Sequence, residues 1–186
     1  MAEYTFSKIK RGSNLYILKD ERVDSLIETV SLLDGLKYAK FTFPRHSNVQ
    51  HAEGWYTVCK VGNQTTMGQS FALFIRGEWA STTPISGIFL GAIRWGNASL
   101  KELICPATGD GFTKIRIAKP TNASNGLYYL EVYSPRIITT GAFADQYLSL
   151  IGDFDLYETE GSSRIMSLTP NTEEMTVFAE LNITAL

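Results

Sequence analysis

The stretch Tyr38-Ala39-Lys40-Phe41-Thr42-Phe43-Pro44 sets the fold class. Tyr38, Lys40 and Thr42 alternate with Ala39, Phe41 and Phe43, so the two sets face opposite sides of an extended chain, and Pro44 ends the run. The same period of two returns further on. Strand-like runs occupy 55–61 (Trp55-Tyr56-Thr57-Val58-Cys59-Lys60-Val61), 70–76, 85–95, 100–105, 112–119, 127–133, 147–157, 163–168 and 175–183, separated by segments rich in Gly, Pro, Asn, Ser and Thr. No alternation of strands with helices is visible, which excludes a wound α/β sheet. The expected fold is mainly β: an antiparallel β-sandwich, jelly-roll-like or of related topology.

One run is apolar on both faces: Ile85-Ser86-Gly87-Ile88-Phe89-Leu90-Gly91-Ala92-Ile93. Such a strand is either central in its sheet or buried against another copy of the chain. Gly87 and Gly91 weaken a strand interior and mark a bulge or a close approach. Gly141-Ala142-Phe143-Ala144 has a similar character.

Upstream of Tyr38 the period changes. Asp20 can cap a helix, Glu21 suits its first turn, and Val23, Leu26, Ile27, Val30 and Leu33 follow at spacings of three and four. Gly35 stands where a C-cap belongs. Earlier still, Tyr4, Phe6 and Lys8 alternate with small polar residues, Gly12-Ser13-Asn14 supplies turn chemistry, and Leu15-Tyr16-Ile17-Leu18 resumes an apolar run, so a short hairpin is expected. The chain thus divides into an N-terminal segment (1–19), a helix (20–37) and a β domain (38–186).

The 186 residues carry 17 basic and 19 acidic side chains, a net charge of −2. Charged residues make up 19% against roughly 25% in an average soluble domain, and aromatics reach 12%. Bulk-charge binding of nucleic acid is excluded, and part of the surface is expected to be covered by other protein. No run is long and apolar enough to be a transmembrane helix, and Met1-Ala2-Glu3-Tyr4-Thr5-Phe6 lacks the marks of a secretory signal. Synthesis in the cytoplasm without membrane insertion is the expectation.

Chemistry-bearing residues are sparse. Cys59 and Cys105 lie in apolar runs and read as buried small hydrophobes, with a bridge open only if their strands are adjacent. His46 and His51 fall in a polar segment and read as solvated loop residues. Asp153 and Asp155 share one strand face, a solvated or ion-paired edge for which Arg116, Arg136 or Arg164 could serve. Gly109-Asp110-Gly111 is a turn between two strands. Asn63, Asn97, Asn122 and Asn182 open Asn-x-Ser/Thr triplets that read as chance loop matches. No nucleophile elbow, phosphate-binding loop or dinucleotide fingerprint occurs. No catalytic, cofactor-binding or metal-ligating residue is assigned, no cofactor is expected, and the chain reads as a non-enzyme. Surface aromatics remain. Trp79, in Gly77-Glu78-Trp79-Ala80-Ser81, together with Tyr128 and Tyr129, forms the candidate ligand surface, one of the two tyrosines facing outward and the other the core.

The N-terminal stretch from Phe6 to Val23, with Gly12-Ser13-Asn14, Leu15-Tyr16-Ile17 and Lys19-Asp20, resembles the opening of fibre and appendage proteins from phages of gut bacteria. It departs from them in carrying Arg22-Val23 where those proteins often show Ala-Arg. Residues 54–158 are similar to the distal domains of phage head and tail fibres, through Gly54-Trp55-Tyr56-Thr57-Val58, Ser70-Phe71-Ala72-Leu73-Phe74-Ile75, Thr113-Lys114-Ile115-Arg116-Ile117 and Tyr128-Tyr129-Leu130-Glu131-Val132-Tyr133.

That resemblance implies a homotrimeric fibre subunit on the virion surface. Tyr4, Phe6, Ile9, Leu15, Tyr16 and Ile17 would anchor it to a capsid or tail protein, and Val23, Leu26, Ile27, Val30 and Leu33 would form a short trimeric stalk. Residues 38–186 would be a knob facing host-surface glycans. A chain of 186 residues suits a head fibre better than a long-shafted tail fibre. The helix stripe could equally pack on its own sandwich. A free-standing carbohydrate-binding or adhesin module is the alternative function.

Overall fold

The computed structural model describes residues 8–11, 14–17, 36–44, 51–62, 68–79, 85–94, 96–107, 111–122, 127–135, 143–154 and 164–183. The chain forms two compact units, 1–35 and 36–186. In the first, β1 (Lys8–Arg11) and β2 (Asn14–Ile17) pair antiparallel, Ile9 opposite Tyr16 and Arg11 opposite Asn14, leaving Gly12-Ser13 as the connection. The helix expected over 20–37 lies outside the described residues up to Gly35; Lys37 already belongs to a strand.

The second unit is mainly β, a sandwich-like pair of sheets. Among its described residues the strands are β3 (Lys37–Phe43), β4 (Gly54–Gly62), β5 (Gln69–Trp79), β6 (Ile85–Arg94), β7 (Asn97–Ala107), β8 (Lys114–Pro120), β9 (Leu127–Ser134), β10 (Phe143–Asp153), β11 (Arg164–Ile165) and β12 (Met175–Asn182). The large sheet runs β11-β3-β10-β5-β6-β7 and the small one β12-β8-β9-β4. All pairs are antiparallel except β11 on β3. The expected 163–168 strand shrinks to two residues, and the expected 70–76 strand extends to Trp79, the last residue of β5. Gly109-Asp110-Gly111 does not join a hairpin, since β7 and β8 lie in different sheets.

Alternation builds the core. Phe41 and Phe43 of β3, Leu73 of β5, Phe89 and Ile93 of β6, and Leu148 and Leu150 of β10 point inward from the large sheet. Tyr56, Val61, Ile115, Ile117, Leu130 and Val132 meet them from the small sheet. Each contributes about 1.5–3 kcal/mol by leaving water, so this layer dominates stability. Phe43 joins the sheets through Tyr56 and Phe112, at ring-centroid distances of 4.8 and 5.2 Å. His51 is 2% exposed, edge-on to Phe43 at 4.9 Å, with Nε2 3.4 Å from Ser134 Oγ. It is a core residue, not the solvated loop histidine expected from its polar neighbours in sequence. Cys59 and Cys105 are buried thiols, one in each sheet.

Gly87 and Gly91 face inward and make room for aromatic rings. A Cβ on Gly91 would lie 2.3 Å from Phe71 Cζ, and one on Gly87 would lie 2.7 Å from Phe89 Cε2. The β6–β7 register also shifts beside Gly87, so bulge and close approach occur together.

The open sides of the sandwich close differently. β12 packs beside β7 on one side. On the other, a strap leaves β11, where Met166 N–H donates to Thr42 O (2.8 Å), and reaches β4, where Asn171 N–H donates to Trp55 O (2.7 Å).

Candidate functional site

Two surfaces of the sandwich carry more than packing requires. The first is the outer face of the large sheet. Register aligns Tyr38, Ile151, Ala72 and Leu90 in one row across four strands. Ser149, Phe74, Ile88 and Ile104 form the next row. Tyr38 is 63% exposed, Ile104 45% and Leu90 41%, beside Leu103 at 60%. Small residues between larger ones leave a shallow depression of about 700 Å³ lined by Tyr38, Phe74, Ile88, Ile104, Tyr147 and Ile151 among others. Tyr147 is flanked by the cations of Lys40, 4.5 Å from its ring centroid, and Arg76, 5.5 Å away. A lone exposed Leu would need no explanation, but contiguous apolar rows usually mark an interface.

The second surface is the outer face of the small sheet under the strap. Glu131, in the middle of β9, is fully buried there. Cross-strand register sets Thr57 on one side of it and Arg116 on the other. Arg116 Nε donates to Glu131 Oε2 at 2.7 Å, Thr57 Oγ1 donates to Oε1 at 3.1 Å, and Asn171 Nδ2 donates to the same oxygen at 2.7 Å. Asn171 Oδ1 in turn accepts from Glu173 N–H at 3.0 Å, so one carboxylate pins the strap to the sheet. The Arg116 guanidinium lies 4.1 Å from the Trp55 ring, and Trp55 meets Tyr133 edge-on at 5.2 Å. The Tyr133 hydroxyl donates to Glu53 Oε1, and this carboxylate raises the phenol above its ordinary pKa.

Between strap and sheets runs a polar groove of about 320 Å³, with Phe41, Lys60, Tyr129, Arg164, Thr169 and Glu173 among its walls. Lys60 lies directly opposite Tyr129, its Nζ 4.9 Å from that ring. Arg164 lies over Phe41, 5.3 Å from its ring.

Of the expected ligand aromatics, Tyr128 and Tyr129 stand on opposite faces of β9. Tyr128 is buried toward the core, edge-on to Phe178 at 5.1 Å, with its hydroxyl accepting from Gly96 N–H at 3.2 Å. Tyr129 faces the groove but is only 9% exposed. The Trp79 side chain, those of the anchoring residues Tyr4, Phe6, Ile9, Leu15, Tyr16 and Ile17, and the stalk residues Val23, Leu26, Ile27, Val30 and Leu33 lie outside what is described. Asp153 is exposed and Asp155 is outside the described residues. Of the arginines considered for that pair, Arg116 serves Glu131 instead. Glu131, Asn171 and Lys60 were not singled out by sequence reasoning, and Arg164 was considered only as a partner for Asp153 and Asp155. An acid inside the apolar run Tyr129-Leu130-Glu131-Val132 was the signal available for the first.

No family model and no curated protein matches the chain. Among solved structures, the tailspike protein of Acinetobacter baumannii phage AM24 aligns with 76% of this chain at 10% identity and a TM-score of 0.36. The aligned part is 28% of the tailspike chain, so this chain spans under a third of its length.

Proposed function

We propose that this protein is a non-enzymatic structural subunit of a phage virion, a homotrimeric fibre protein, with a head fibre favoured over a tail fibre. Its N-terminal segment, including Tyr4, Phe6, Ile9, Leu15, Tyr16 and Ile17, docks on a capsid or tail protein. The stripe Val23, Leu26, Ile27, Val30 and Leu33 forms a short stalk, and the sandwich is the knob exposed to host-surface or mucosal glycans. The observation that carries this reading is the apolar outer face of the large sheet. Tyr38, Leu90, Leu103 and Ile104 stand in the open on one chain, and packing copies about an axis removes them from water. The resemblance of the Phe6–Val23 stretch to fibre openings supports the virion context. Three-fold display also lets weak single sites act together.

Light scattering on the full chain tests it. The expected mass is about 62 kDa, three times the 20.7 kDa chain. A stable monomer overturns the fibre reading and leaves a free-standing carbohydrate-binding module in its place.

A further inference from the structure

We propose that the groove between the strap and the two sheets binds an acidic saccharide, with Lys60 and Arg164 holding its carboxylate and Glu173 and Thr169 meeting its hydroxyls. This gives the glycan-facing part of the proposed function a place and a ligand class. It does not depend on assembly, since a single chain contains the whole groove.

The groove's polar groups divide into two sets. Thr57 and Asn171 are committed to Glu131, and the Ser167 hydroxyl is bonded to the backbone of Thr169 at 3.1 and 3.2 Å. The heads of Lys60, Arg164, Glu173 and Thr169 carry no hydrogen bond or ion pair among the described residues, although all four line the same space. Two cations without carboxylate partners in one groove make a site for an anion. Both are oriented without being neutralised, Lys60 by the Tyr129 ring and Arg164 by the Phe41 ring. Arg164 offers the planar fork that matches a carboxylate, and Lys60 adds a point charge.

Glu173 narrows the choice. Its carboxylate accepts hydrogen bonds from hydroxyls but repels a second negative charge, so a ligand with one charge and several hydroxyls fits better than phosphate. The volume of about 320 Å³ is at the small end of ligand sites, suited to one sugar ring with the rest of a chain running outside.

The test is isothermal titration of the full chain with sodium D-glucuronate and with N-acetylneuraminate, against D-glucose, sodium acetate and inorganic phosphate. Binding of at least one sugar acid is expected, weakening with salt, with glucose, acetate and phosphate each about tenfold weaker or worse. Whichever acid binds more tightly identifies the source of the carboxylate. Arg164→Gln and Lys60→Gln should each cost about tenfold in affinity. If Arg164→Gln disturbs the fold through Phe41, a melting curve will show it, and Lys60→Gln then decides alone. No binding of either acid overturns the proposal. So does binding unchanged by Lys60→Gln, or acetate or phosphate binding as tightly as the sugar acids. Each of these results leaves the measured mass, and with it the fibre reading, standing.

Discussion

Replacing Glu131 with Ala removes the acceptor on which three donors converge. Arg116 Nε at 2.7 Å, Asn171 Nδ2 at 2.7 Å and Thr57 Oγ1 at 3.1 Å would all lose their partner at once. Breaking a buried ion pair from one side costs about 3–5 kcal/mol, mainly because the remaining charge is left uncompensated. Here the remaining group is Arg116, whose side chain is 11% exposed and still lies on Trp55, so some solvation is recovered and the lower end, about 3 kcal/mol, is expected. For a domain of this size that is a fall in Tm of roughly 6–12 °C. The assay is urea and thermal unfolding of Glu131→Ala, Arg116→Met and the double variant. The double variant should lose less than the two singles together, with a coupling of at least about 1 kcal/mol. A loss below about 1 kcal/mol for Glu131→Ala, or strict additivity, would refute the view that this carboxylate fixes the strap. Since Asn171 would be released too, glucuronate affinity should fall in Glu131→Ala although neither Lys60 nor Arg164 is touched.

Leu90→Asp, on the exposed apolar row, should lower the solution mass while leaving the melting temperature of the chain within what about 0.5 kcal/mol produces; an unchanged mass would show that this face is not an interface. Val30→Asp should also dissociate the oligomer with the β domain intact, and unfolding of the whole chain would instead make the helix part of the sandwich core. Gly152→Ala should cost about 1–3 kcal/mol or more, because its Cβ would lie 2.2 Å from Ser70 O and 2.6 Å from Phe71 Cα, both backbone. Gly91→Ala should cost less, because its obstacle is the movable Phe71 ring, and denaturant midpoints of the two variants give the comparison. Burial pushes the Tyr56 phenol up to about 12 from 10.0. The folded state therefore holds that proton longer than the unfolded chain, stability is intact below pH 10 and falls as pH rises from 10 toward 12, and Tyr56→Phe should flatten this slope in unfolding curves.

The strands were legible because alternation in sequence and burial in a half-covered sheet are the same fact. Phe41 and Phe43 against Lys40 and Thr42 in β3 show it, whereas β12 breaks the rule at a register shift between Val177 and Ala179, where Phe178 packs on Tyr128 and its neighbour Ala179 also meets the core. What alternation does not encode is which sheet a strand joins. Gly109-Asp110-Gly111 reads as a turn whether the chain folds back on β7 or crosses to the other sheet, and it crosses. The strap was misread for a related reason. Arg164–Ile165 is the only part that pairs as a strand among 164–171, and the rest is held by single hydrogen bonds to Thr42 and Trp55 that leave no period in the sequence. His51 was misjudged because its neighbours along the chain are polar, whereas its neighbours in space are Phe43 and Tyr56.

For the candidate surfaces, the Ile85–Ile93 run is the instructive case. Its sequence offered two explanations for being apolar on both faces, a central strand or contact with another copy. The structure makes β6 central, between β5 and β7, yet centrality accounts for one face only. Phe89 and Ile93 are 1% and 0% exposed against the small sheet, while Leu90, on the opposite face of the same strand, is 41% exposed. A sandwich supplies one covering layer to each sheet, so a strand apolar on both sides needs a second layer, and among the described residues none lies over Leu90. Centrality thus explains the inward half of the pattern alone, and contact with another copy belongs to the proposal for the outward half. The groove was illegible for a simpler reason: Lys60 and Arg164 are far apart in the chain and belong to different sheets, and only the packing of one sheet on the other brings them to one groove.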